Sequence, residues 1–144
     1  MFSFQKHLES MYCGAGTLGR LHYRKVEGSW STLYHLIGTG KIELSIETET
    51  EAPPTLEQIK RMEEFLASYD KLKATLLNQV YKAYQRSKYP FPRDRVGEMY
   101  TLAGVTLKAD DDFWVALEPG DVFSLYNHFM RFTVRNGSVI WANI

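Results

Sequence analysis

Hydrophobic residues recur at helical spacing in one long stretch of the chain, residues 55–86. Thr55 followed by Gln58 has the spacing of a capping box, in which each side chain bonds the backbone N–H of the other residue. Pro90 and Pro92 exclude helix at the residue before each of them. The pattern predicts a helical layer over about residues 55–88. The apolar residues that recur at helical spacing are Leu56, Ile59, Met62, Phe65, Leu66, Tyr69, Leu72, Leu76, Val80, Ala83 and Tyr84.

One straight helix over this stretch would be about 50 Å long. A compact chain of 144 residues has a diameter of somewhat under ~40 Å. We therefore expect the layer to break at residues 68–70 into two helices, with Asp70 capping the second.

Apolar and polar residues alternate along most of the remaining chain, as they do in strands with one buried face. Strands predicted at residues 20–24, 30–37 and 41–50 would form an antiparallel meander. Further strands are predicted at residues 113–117 and 122–126, whereas residues 91–107 lack regular alternation and are expected to be irregular. Asn136 and Gly137 predict a type I′ turn, which joins residues 130–134 and 139–141 in a C-terminal β-hairpin. The predicted fold class is α+β, with the meander and hairpin packed against one helical layer in a single domain of residues 1–144.

The composition narrows the class of function. Seventeen basic and seventeen acidic residues cancel, which argues against a nucleic-acid binder that works by bulk charge. The single cysteine, Cys13, excludes an internal disulfide framework and a cysteine-rich zinc site. No apolar run has the length of a signal peptide or a membrane span. We expect a cytoplasmic protein without a membrane segment, metal or cofactor.

Two histidines and the cysteine are the candidates for catalytic chemistry. His22 and His35 fall on adjacent predicted strands and could face each other, although a metal site would need a third ligand that the sequence does not supply. Cys13 could be a nucleophile with a histidine as its base. An enzyme hypothesis requires two of these side chains to converge in a pocket. The alternative is that they are ordinary strand histidines and a buried cysteine.

Two short motifs invite a functional reading but have simpler interpretations. Gly14, Gly16 and Gly19 have the spacing of the dinucleotide-binding fingerprint, but a strand pattern follows them where that fingerprint needs a helix. We predict a glycine-rich turn that leads into a strand. The aspartates at positions 110–112 lack the alternate spacing and closing glutamate of an EF-hand calcium loop, and an exposed turn is predicted.

An acidic row is the first candidate binding surface. Alternate positions of the third predicted strand place Glu43, Glu47, Glu49 and Glu51 on its polar side, with alternate residues about 7 Å apart. Such a row could steer association with a basic protein partner. It could equally keep an edge strand from pairing with other chains. An edge strand could also pair with its own copy and form a homodimer.

A basic stretch is the second candidate surface. Its cations alternate with tyrosines and a phenylalanine, an arrangement that can bind phosphates and stack bases in single-stranded nucleic acid. The alternative is a helix C-terminus whose cations interact favourably with the helix dipole. The residues are Lys82, Arg86, Lys88, Arg93 and Arg95.

Several short motifs follow one another along the chain: Leu18-Gly19-x-Leu21-x-Tyr23, Trp30, Ile42/Leu44/Ile46, Thr55-x-x-Gln58, Tyr81-x-x-Tyr84 and His128 with Phe132 and Asn136-Gly137. Their order resembles small bacterial domains of unknown function, some of which are encoded near polymorphic toxins and regarded as immunity-type proteins. The resemblance covers about half of the chain and implies a protein-binding role without catalytic residues. It leads to the hypothesis of a non-enzymatic protein that neutralises a toxin by occluding its active site.

Overall fold

The computed structural model describes residues 12–86, 96–120 and 129–143. These residues form one eight-stranded sheet whose strands lie side by side in chain order, with a helical layer on one face. The predicted α+β class is therefore confirmed. The strands are β1 (Tyr12–Gly14), β2 (Arg20–Arg24), β3 (Ser29–Leu36), β4 (Gly40–Glu47), β5 (Tyr100–Leu107), β6 (Phe113–Pro119), β7 (Met130–Arg135) and β8 (Ser138–Asn143). The helices are α1 (Leu56–Ala67), α2 (Tyr69–Gln85) and the single turn α3 (Val96–Met99).

The sheet consists of two antiparallel halves joined by one parallel pair. Strands β2 to β4 form the predicted meander, which β1 extends by one unpredicted strand, and β5 to β8 form a second meander. The two meet where β4 runs parallel to β5. A parallel pair needs a long crossover connection, and here α1 and α2 supply it. The expectation that residues 91–107 are irregular was wrong for residues 100–107, which form β5 in the interior of the sheet.

The helical layer begins as the sequence predicts. The Thr55 hydroxyl accepts from the Gln58 N–H at 3.1 Å, and the Thr55 N–H donates to the Gln58 side-chain oxygen at 2.9 Å, which completes the capping box. The layer breaks at Ser68, whose hydroxyl donates to the Glu64 carbonyl at 3.1 Å. The break between two helices is confirmed, but the predicted cap was wrong. Ser68 occupies the N-cap of α2, but its side chain makes no capping bond to that helix, and Asp70 lies inside the first turn of α2.

The C-terminal hairpin is also confirmed. Asn136 and Gly137 both have positive φ values, 51° and 76°, as a type I′ turn requires. The flanking strands β7 and β8 pair antiparallel, with one register shift between Thr133 and Val134. The predicted strand at residues 122–126 lies outside the described residues.

The core forms where one face of the sheet meets α1 and α2. Alternate side chains of β4 and β5 to β7 are buried there against apolar positions of both helices, and burying a large apolar side chain stabilises a fold by about 1.5–3 kcal/mol. We call the opposite side of the sheet, which faces away from α1 and α2, the open face. Within the described residues, no helix is both long and apolar enough to cross a membrane.

The parallel junction gives a stability prediction. A Cβ at Gly104 would lie 3.1 Å from the Glu43 carbonyl oxygen, a backbone atom of β4. We expect Gly104→Ala to lower the free energy of unfolding by about 1–3 kcal/mol, because β4 and β5 must separate to admit the methyl group. Urea unfolding measures the change. Gly14→Ala is the matched control: a Cβ there meets nothing within 4 Å, so it should change stability by less than about 0.5 kcal/mol. Equal costs at the two glycines would contradict the close approach at the junction.

Candidate functional site

The four acidic residues do not form one row along a strand. Glu43 and Glu47 lie on the open face of β4, which ends at Glu47. Glu49 and Glu51 are exposed in the bend that follows. The predicted strand over residues 41–50 was therefore too long at its C-terminal end. β4 also lies between β3 and β5, so the carboxylates cannot protect an edge strand, and β4 cannot be the edge of a homodimer.

The two glutamates on β4 are paired with cations from neighbouring segments. Arg24 on β2 donates to the Glu43 carboxylate at 2.7 Å. Lys108, just after β5, forms an ion pair with Glu47 at 2.5 Å. These pairs offset the negative charge that the sequence alone assigns to this part of the sheet.

An indole–cation cluster lies next to these pairs. The Lys108 ammonium is 3.7 Å from the centre of the Trp114 ring, and the Arg131 guanidinium carbon is 4.2 Å from the same centre. Arg131 also lies 5.2 Å from the centre of the Trp141 ring. All of these separations are within the range of cation–π attraction. We call Lys108, Trp114, Arg131 and Trp141 the indole–cation cluster.

A depression of about 310 Å³ adjoins the cluster on the open face. Small side chains of β4, β5 and β6 make its floor, and larger ones make its walls. A second depression of about 370 Å³ shares Glu43, Ser45, Thr106 and Trp114 with it. The first depression is lined by Glu43, Ser45, Ala103, Gly104, Val105, Thr106, Trp114, Ala116, Phe129 and Arg131.

Large apolar side chains are exposed around the same face. Leu33 is 71% exposed, Phe129 66% and Trp141 47%. Solvent faces of antiparallel sheets are ordinarily polar. Exposed aromatic residues beside an arginine are typical of the centres of protein interfaces.

Asp112 lies in the β5–β6 turn and differs from its predicted solvated state. Asp110 and Asp111 are exposed as expected, but Asp112 is buried and forms a two-pronged bond with Arg135, at 2.8 and 2.9 Å. The hydrogen bonds from Arg135 lower the pKa of the Asp112 carboxyl below its usual value. The pair joins the start of β6 to the end of β7. The Asp112 carboxylate is therefore already bound by Arg135.

The histidine and cysteine candidates are not brought together. His22 lies opposite Ser31, whereas His35 is four positions further along β3, a separation of about 13 Å. Cys13 pairs with Leu21 and so faces the helical layer, the opposite side of the sheet from His22. Burial raises the pKa of the Cys13 thiol, the reverse of the shift in an activated thiolate. The convergence that the enzyme hypothesis requires is absent among these three residues.

The glycine-rich segment forms the predicted turn into a strand. A short 3-10 helix, Gly16–Leu18, separates β1 from β2. The Thr17 backbone N–H and hydroxyl both donate to the Glu63 carboxylate of α1. Both hydrogen-bond donors of Thr17 are therefore already bonded to a carboxylate of the same chain.

The basic stretch is described only in part. Lys82 and Arg86 are exposed near the C-terminal end of α2, which places cations where the helix dipole favours them. Lys88, Arg93 and Arg95 lie outside the described residues, as do His7 and His128. In the parts of the chain that the structure describes, no three His, Cys, Asp or Glu side chains are grouped closely enough to hold a metal ion.

Comparison of the chain with protein-family models, with curated proteins and with solved structures finds no match. The resemblance to immunity-type domains therefore stays a hypothesis.

The sequence already places two residues of the indole–cation cluster at outward strand positions, although the surface that we predicted from it was the acidic row. Trp114 falls between the inward residues Phe113 and Val115, and Arg131 falls between Met130 and Phe132. A tryptophan at an outward strand position is uncommon and therefore indicates a candidate binding surface. What the pattern did not contain was the pairing of β6 with β7, which puts Trp114 beside Arg131.

Proposed function

We propose that this protein is a non-enzymatic protein-binding domain and that the open face of its sheet is the binding surface. The observation that carries the proposal is the indole–cation cluster beside a depression, on the face that α1 and α2 leave uncovered. Tryptophan and arginine are the residue types that contribute most to binding energy in protein interfaces.

The partner is proposed to be a toxin whose active site the open face covers. This part of the proposal rests on the resemblance to immunity-type domains. Glu43 and Glu47 remain within the proposed surface as walls of the depressions, with Arg24 and Lys108 as their partners. The free thiol of Cys13 is compatible with a cytoplasmic location, which is part of the same proposal.

The test is capture of a partner from the native host with the tagged protein at native level, read by mass spectrometry, with two variants alongside. Trp141→Ala removes an exposed indole from the open face. Leu56→Ala is the matched control, since Leu56 is 86% exposed at the start of α1 and lies away from that face. We expect the wild type and Leu56→Ala to capture the same stoichiometric partner, and Trp141→Ala to bind it at least about tenfold more weakly.

Four outcomes would count against the proposal. Capture of no stoichiometric partner would remove the protein-binding function. A partner bound equally by Trp141→Ala would move the surface off the open face, as would a partner lost with Leu56→Ala. If the captured partner is not toxic when expressed alone, the immunity role is wrong, although the binding role stands.

A further inference from the structure

We infer that Arg131 is the residue of the open face that receives a carboxylate from an acidic segment of the protein partner. The inference rests on the proposed protein-binding function and adds the chemistry of the partner. The inferred partner is acidic, whereas the acidic row led to the expectation of a basic partner. The residues of that row are Glu43, Glu47, Glu49 and Glu51.

The charges of the open face support an acidic partner. Its carboxylates at Glu43, Glu47 and Asp112 each have a cation partner within the protein. Among the described residues, no carboxylate forms an ion pair with Arg20, Lys41 or Arg131. The protein as a whole has no net charge, so the excess of cations on this face is local. By the strand registers, the lining of the second depression and the pairing of Asp112 with Arg135, the cations that belong to it are Arg20, Arg24, Lys41, Lys108, Arg131 and Arg135, against carboxylates at Glu27, Glu43, Glu47, Asp112 and Glu118.

Arg131 stands out among these cations because its guanidinium is held in place. It lies near two indoles, Trp114 and Trp141, while its residue remains exposed. A guanidinium that stacks on an aromatic ring keeps its N–H groups in its own plane, where they can bond a carboxylate with both prongs. Holding the side chain before binding reduces the entropy that association must overcome.

The depression beside Arg131 indicates which kind of partner side chain would lie next to the bound carboxylate. Arg131 is in its wall, and the lining also includes Gly104, which has no side chain, and the small side chains of Ala103 and Ala116. A partner residue with an apolar side chain, next to the acidic one, would fill this space beside Phe129. The structure thus fits an acidic segment with interspersed apolar side chains.

A nucleic acid fits the surface less well. Phosphate backbones are bound by several cations at once, whereas Lys108, which lies over the same Trp114 ring as Arg131, is already paired with Glu47, and Arg24 is paired with Glu43. The test includes a nucleic acid so that this alternative is measured directly.

The experiment uses the indole N–H signals of the three tryptophans in a nitrogen–proton correlation spectrum. Trp114 and Trp141 report on the open face. Trp30 is an internal control, since it is buried and its indole N–H donates to the Ala52 carbonyl at 3.0 Å. The probes are a short peptide of repeating Glu-Phe-Gly, the same peptide with Gln in place of Glu, and a single-stranded oligothymidine of similar length.

We expect the glutamate peptide to shift the Trp114 and Trp141 signals in a saturable manner and to leave Trp30 unchanged. Its affinity should exceed that of the glutamine peptide by about tenfold. Arg131→Gln should abolish this difference, and Arg131→Lys should restore only part of it, because lysine lacks the planar fork. Arg20→Gln removes another cation of the same face and should change the affinity by less than about twofold.

The inference is overturned by equal affinities for the two peptides, by a preference that survives Arg131→Gln, or by tighter Arg131-dependent binding of the oligothymidine. These results are separable from failure of the proposed function. A native partner captured through Trp141 together with equal peptide affinities would leave the binding function intact and remove only the role of Arg131. Selective binding of the glutamate peptide without capture of a native partner would support the role of Arg131 and count against the proposed function.

Discussion

Replacing Phe132 by alanine is expected to lower the free energy of unfolding by about 3–5 kcal/mol. Phe132 is fully buried on β7, between Val115 of β6 and Ala142 of β8 in the sheet register. The substitution removes apolar contacts and leaves a cavity that a close-packed core fills only in part. Native domains are stable by about 5–15 kcal/mol, so the loss is large. Urea unfolding followed by circular dichroism measures it as a lower midpoint with an unchanged slope.

Thr133→Ala is the matched control for Phe132→Ala. Thr133 is the next residue on the same strand and points to the open face, opposite Trp114. We expect it to cost under about 1 kcal/mol, as for most substitutions away from a core. A larger cost at Thr133 than at Phe132 would mean that β7 has the opposite orientation, because a one-residue change of register exchanges the faces of a strand.

Replacing Trp30 by alanine is expected to cost about 3–5 kcal/mol as well. The Trp30 ring is 1% exposed and lies 5.2 Å from the Tyr23 ring, centre to centre. Its indole N–H also ties β3 to the segment before α1, through the Ala52 carbonyl. Trp30→Ala loses the packing and this bond together, and thermal or urea unfolding reports the sum.

Trp30→Phe separates the two contributions. It keeps an aromatic ring in the core but has no donor for Ala52, so we expect a smaller loss from the hydrogen bond, about 0.5–1.5 kcal/mol, plus the cost of the smaller ring. Hydrogen exchange should quicken in residues 48–52 more than in β7. Uniform quickening across the sheet would show that the bond to Ala52 does not hold this segment.

Local chemistry explains which parts of the fold could be predicted from sequence. The Thr55–Gln58 capping box and the Asn136-Gly137 turn each depend on residues that are neighbours in the chain. The helical spacing of the layer and the alternation of Ile42, Leu44 and Ile46 likewise show one buried face directly. None of these features requires knowledge of the rest of the protein.

β5 was missed because its alternation changes phase. Tyr100 and Leu102 are buried, and then Val105 and Leu107 are buried, with an irregularity in the pairing with β6 between Leu102 and Gly104. The extra residue of a β-bulge breaks a period of two. A strand with such a break does not match the alternating pattern, although its pairing on both sides makes it central to the sheet.

The sequence predicted where on the sheet the candidate site lies, but not the contacts between its residues. Glu43 and Glu47 were correctly placed on the polar side of β4, but their ion pairs depend on Arg24 and Lys108, which come from other segments. The arrangement of Trp114, Arg131 and Trp141 depends on the order of β6, β7 and β8. Its residues were visible in the sequence, but their contact was not.

The sequence by itself determined the α+β class, the two helices and their start, the first meander and the last hairpin, because these follow from periodicity, capping and turn chemistry between near neighbours. Only the tertiary structure decided that the two halves of the sheet join at a parallel β4–β5 pair and that β4 is interior. It also decided that the acidic side chains on β4 are neutralised while Arg131 is held between two indoles. The physical reason is that strand order and cross-strand partners are set by contacts between residues far apart in the chain, for which no local pattern of hydrophobic and polar residues carries the information.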